Sequence, residues 1–175
     1  MYCKVRNAVI QYITNLCYNR NIIKEELSMI SALCVAKKII CRMNETGKEI
    51  TQLKLQKLLY FTEAYYMATY NKSELFKEQF YAWTYGPVCK EVYDEYKMYL
   101  NSPIPASECD NLPLLNENVE ESIVKVCDVL GDLSSSQLIQ LTHMQSSPWS
   151  KLNSFRNECI SKIDTREWFA KVFNI

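Results

Sequence analysis

The stretch TQLKLQKLLYFTEAYYMATY, residues 51–70, constrains the fold of this chain more than any other feature. Leu55, Leu58, Leu59, Thr62, Tyr65, Tyr66 and Thr69 step by three and four, the spacing of one helix face. Apolar residues also flank that stripe, so a helix here has too little polar surface to lie on the outside. It must sit centrally, with other elements packed around it.

The rest of the chain supplies those elements. Val5, Val9, Ile13 and Leu16 recur at helical spacing within Tyr2–Cys17, until NRN at 19–21 breaks the pattern. Ser28 is placed to cap a second helix, with Met29, Leu33, Ala36, Ile40 and Met43 on one face and Gly47 as its stop. LFKEQFYAW, 75–83, changes to an extended period and predicts a short strand or hairpin near residues 75–85. Gly86 precedes a proline and must leave the right-handed helical region. Pro87 suits the first turn of a helix over 88–100, in which Lys90 and Asp94 form an opposite-charge pair. Three prolines mark 101–118 as a loop and the segment most open to proteases. Helix resumes over Val119–Leu130, stops at Gly131 and restarts behind a Ser134 cap. Pro148 opens a further turn, and DTREWFAKVF closes the chain as a short amphipathic helix. Three glycines and five prolines are too few for an all-β sandwich with many tight turns. The expected fold is therefore mainly α: a compact multi-helix domain with one short β-hairpin.

Chemistry is hard to place on this chain. No two of its eight cysteines are separated by only two residues, and His143 is its one histidine, so no metal ligand set stands out. Cys34 and Cys41, seven apart, read as core packing. No secretory leader or membrane-length apolar run is visible, which predicts a cytoplasmic setting with eight free thiols. His143 must serve any imidazole chemistry, but it reads as a structural histidine that caps or bridges helices. Three scattered glycines cannot form a phosphate loop, and no carboxylate pair departs from ordinary helix surface. Neither an enzyme nor a cofactor is expected.

Charge bears on partners. Residues 1–60 carry ten Lys/Arg against four Asp/Glu, whereas 61–132 carry five against thirteen. An acidic middle argues against broad nucleic-acid binding. One local pattern argues for it: two helices joined by NETGKE, the second opening with Thr51, Gln52, Lys54, Gln56 and Lys57, resemble a helix-turn-helix layout. A DNA-binding regulator is thus the rival to a protein-binding module. Tyr60, Trp83, Tyr85 and Trp149 favour the module, because each joins an apolar body to a polar tip and suits an interface anchor.

Four separated blocks then carry a resemblance: LQKLLYF at 55–61, LF at 75–76, AWTYGPV at 82–88 and LTHMQSSPW at 141–149. Their order and spacing are similar to the signature of the Panacea domain, the phage-associated or SocA/GepA-like family. The resemblance divides the chain into a basic helical extension (1–28), a Panacea-like domain (29–152) and a helical tail (153–175). It implies a mainly helical antitoxin of bacterial and phage toxin–antitoxin operons. Such a protein neutralises a cognate toxin encoded next door by direct contact. One family member instead acts as an adaptor that delivers its toxin to a AAA+ protease, which gives a further alternative. On this reading Lys57, Tyr60, Trp83, Tyr85, His143 and Trp149 converge around one partner-binding groove.

Overall fold

The computed structural model describes residues 30–70, 74–109, 112, 114–152 and 157–175. The helix expected over Tyr2–Cys17, the cap at Ser28 and the face residue Met29 lie outside those residues.

Helix α1 spans Ala32–Glu45 and is capped by Ser31, whose side chain accepts from the Cys34 N–H. Gly47, at φ +68°, ends it. Its N–H donates to the Asn44 carbonyl and that of Lys48 donates to Met43, which pairs the last orphan carbonyls as in a Schellman motif. Helix α2, Gln52–Tyr70, is the central element, and thirteen of its nineteen residues are buried. Around it pack α1, the hairpin, α4 (Glu117–Leu130), α5 (Ser135–Thr142) and α6 (Lys162–Phe173). Asn116 caps α4, and Ser134 caps α5 through a full capping box with Gln137.

The hairpin lies slightly later than expected. Strand β1, Phe80–Trp83, pairs antiparallel with β2, Gly86–Cys89, across the turn Thr84–Tyr85. Residues 158–160 add a third short edge: the Ala82 N–H donates to Glu158, and the Ile160 N–H donates to Phe80.

Pro87 is thus a strand residue opposite Ala82, not the first residue of a helix, and α3 begins only at Lys90 and ends at Tyr96. Proline fits there because it removes a donor from a strand edge, where no further strand needs one. The expected Lys90–Asp94 pair does not form. The Lys90 ammonium sits 3.6 Å from the centre of the Tyr81 ring, and Asp94 pairs with Lys97 at 2.7 Å.

The segregated charges meet one another. Lys38, Arg42 and Lys48 reach Glu120, Asp128 and Asp132 at 2.6, 2.8 and 3.1 Å, so basic α1 lies along acidic α4. α6 is tied to α2 by Lys162, whose ammonium contacts the Glu63 carboxylate at 2.8 Å, Glu74 at 3.3 Å and the Phe76 carbonyl. Eight free thiols were expected; instead Cys41 and Cys109 are joined, with Cα atoms 5.4 Å apart. A separation of 68 residues leaves no local sequence mark of such a pair. Cys34, Cys89, Cys127 and Cys159 are free. The bond also anchors the proline loop, as does the Ile104 N–H, which donates to Ile50.

Candidate functional site

Two motif blocks thirty residues apart meet at the outer edge of β2. That edge has no neighbouring strand among the described residues, and side chains of α2 take the place of one. The Gln56 amide acts as a peptide unit would: its oxygen accepts the Cys89 N–H at 2.8 Å and its nitrogen donates to the Cys89 carbonyl at 3.4 Å. The Lys57 ammonium donates to the Pro87 carbonyl at 2.8 Å. Gln-Lys of LQKLLYF therefore clips Gly-Pro-Val-Cys onto the central helix. Lys57 is fully buried. Burial lowers its ammonium to about 7, far below the ordinary lysine value of 10.5.

The aromatic residues form a chain of contacts over this clip. Trp149 donates its ring N–H to the Trp83 carbonyl at 2.9 Å and stacks on His143, with ring centres 3.5 Å apart and planes 7° from parallel. His143 is the C-cap of α5, the structural role expected of it. Its ring is held below the ordinary histidine value by burial and by the positive charge of Lys57. Trp83 in turn donates to the Asn157 side chain at 2.6 Å and packs edge-on against Tyr93. Trp149→Phe keeps the stack on His143 and removes the bond to Trp83. A loss of about 1 kcal/mol in urea unfolding is expected, with the hairpin still formed.

In front of this chain lies an open groove of about 640 Å³, between the first turn of α2 and the hairpin turn. Trp83 and Tyr85 line it with Gln52, Leu53, Gln56 and Tyr93. Tyr85, at the hairpin turn, is 64% exposed. Of the six residues expected around one groove, Trp83 and Tyr85 face it. Lys57, His143 and Trp149 stand behind it as support. Tyr60 lies away from it, 1% exposed, with its ring edge-on to Phe80 and its hydroxyl 3.3 Å from Thr165 on α6. Tyr93 and Asn157 were not legible as site residues, and Gln52 and Gln56 were read only as residues opening a helix-turn-helix-like element, not as groove lining. Only the placement of Gln56 inside the LQKLLYF block gave a signal.

Gln56 and Lys57 are fully buried and Gln52 nearly so, while Lys54 donates to the Gly131 carbonyl at 2.6 Å. Of the side chains that would read DNA from a helix-turn-helix, Lys54, Gln56 and Lys57 are thus engaged by backbone groups of the protein itself. Among the described residues, no group of three or more His, Cys, Asp or Glu is placed to hold a metal ion, and no helix is long and apolar enough to cross a membrane.

A mainly helical domain with a hairpin clipped to its central helix and an aromatic groove beside the clip defines the structural class. The family model described as "Antitoxin SocA-like, Panacea domain" matches residues 55–150, more than half of the chain, and the chain belongs to that family. It is 28% identical over 130 residues to Antitoxin SocA of Caulobacter vibrioides (strain NA1000 / CB15N), covering 69% of each protein. No solved structure matches it. Membership supports an antitoxin role, and a non-enzymatic one.

Proposed function

We propose that this chain is the antitoxin of a toxin–antitoxin pair and neutralises a cognate toxin, encoded beside it, by direct contact in the cytoplasm. The observation that carries the reading is Tyr85. A large aromatic side chain stands 64% exposed on a two-residue turn whose strands are clipped from behind by Gln56, Lys57 and Trp149. An exposed aromatic on a braced turn beside a groove suits an interface anchor, because little backbone entropy is lost on binding.

The test is rescue of growth when the adjacent reading frame is induced, followed by co-purification of the two proteins. Tyr85→Ala is expected to leave folding within about 0.5 kcal/mol of the parent, since the side chain is exposed. It is expected to weaken the complex about tenfold or more. Unchanged affinity of the Tyr85→Ala protein removes the hairpin turn from the interface. The toxin level separates two modes: it stays constant if toxin is blocked, and falls if the chain delivers toxin to a AAA+ protease.

A further inference from the structure

We infer that the groove beside the first turn of α2 takes an extended segment of the partner protein that presents a carboxylate next to an apolar side chain. This rests on the direct-binding reading above and assigns the part of the partner that is held.

Three observations carry it. The first N–H groups of a helix have no acceptor within it; the Thr51 hydroxyl takes that of Lys54 at 3.4 Å, and those of Gln52 and Leu53 leave the leading end of α2, nineteen residues long, a pole of partial positive charge. No acidic side chain stands in its first turn to offset that charge. Second, Gln52 lines the groove, is only 8% exposed, and its amide nitrogen has no partner among the described residues. A buried donor left without an acceptor is costly, so an acceptor that reaches it is favoured. Third, Leu53, Val88, Trp83, Tyr85 and Tyr93 make the walls mostly apolar.

The same features choose among anions. Among the described residues, no charged side chain lines the groove. The nearest lysines on α2 are spent, Lys54 on the Gly131 carbonyl and Lys57 on the Pro87 carbonyl. A helix end with one amide donor suits a single negative charge on an apolar peptide better than a doubly charged phosphate, which calls for cationic side chains. A volume of about 640 Å³ falls within the range that encloses a short stretch of peptide.

The test uses the full chain, labelled with nitrogen-15, and two probes: N-acetyl-L-leucine and its neutral relative N-acetyl-L-leucinamide. The acid is expected to shift the Gln52 side-chain amide, the Leu53 N–H and the Trp83 ring N–H. The neutral probe should bind about fivefold more weakly, the loss of one charged acceptor. In Gln52→Leu, which keeps the volume, the preference for the acid should shrink. Equal response to both probes, or none at these residues, overturns the inference. With the toxin itself, Gln52→Leu should weaken the complex about tenfold at a melting temperature equal to or above the parent's. An unchanged complex overturns the groove assignment and leaves the antitoxin reading standing. If the parent protein holds no toxin at all, that reading fails, and the two probes alone decide the chemistry of the groove.

Discussion

Gly86→Ala is expected to lower the stability of this protein by about 3–5 kcal/mol, a fall of roughly 6–20 °C in Tm for a chain of this size. Two effects add. Gly86 has φ +100°, a conformation that side chains resist. A Cβ there would stand 2.7 Å from Thr142 Oγ1, 3.0 Å from Lys57 Cε and 3.1 Å from Lys57 Nζ. Neither neighbour yields easily. The Thr142 hydroxyl is bonded to the Ile139 carbonyl, and Lys57 is fully buried and held by Pro87. Gly47→Ala is the control: φ is +68° there, and an added Cβ meets nothing within 4 Å. It should lose only the backbone contribution, about 1 kcal/mol. Equal losses in the two proteins, measured by urea unfolding, would mean that the close approach of the hairpin to α2 and α5 does not matter.

That approach was only half legible in the sequence. The central place of α2 followed from its own stripe, because a helix apolar on several sides must be surrounded. The stop at Gly47 and the cap at Ser134 were legible because helix ends are local chemistry. Pro87 was not. A proline after a glycine suits the first turn of a helix and a strand edge equally well. The choice is made by Gln56 and Lys57, thirty residues away. Tyr60 and Tyr85 make the same point for the site. Alone, each is an amphipathic aromatic. Phe80 and α6 bury one, and a hairpin turn exposes the other. Gln52 was read only as one of the polar residues opening a helix-turn-helix-like element, because nothing local shows that such a glutamine lines a groove.

Lys57→Met is expected to remove a rise in stability that the parent shows between about pH 7 and 9. The sign follows from where the proton sits. In the folded chain burial lowers the Lys57 ammonium to about 7, and in the unfolded chain it keeps its ordinary value of 10.5. Across that window the unfolded chain holds a proton that the folded chain has released, so stability climbs with pH. Below 7 both states are charged and the full cost of burial is present. The climb totals on the order of 3–5 kcal/mol by about pH 10.5, roughly half of it between pH 7 and 9. Above that, the Cys89 and Cys127 thiols, pushed up to about 12 by burial, begin to oppose it. Methionine fills a similar volume without charge, so urea midpoints of the variant should be nearly flat from pH 7 to 9. At pH 7 the variant should match or exceed the parent: the relief of burial outweighs about 1–3 kcal/mol for leaving the Pro87 carbonyl without its donor. A flat parent profile would show that Lys57 reaches water or an anion. A rise retained in Lys57→Met would assign it to another group. Combining Lys57→Met with Gly86→Ala then measures the clip directly, because residues in contact do not add. A flexible thioether should give way to the new methyl group where the held ammonium cannot. The two changes together should therefore cost less than the sum of each alone.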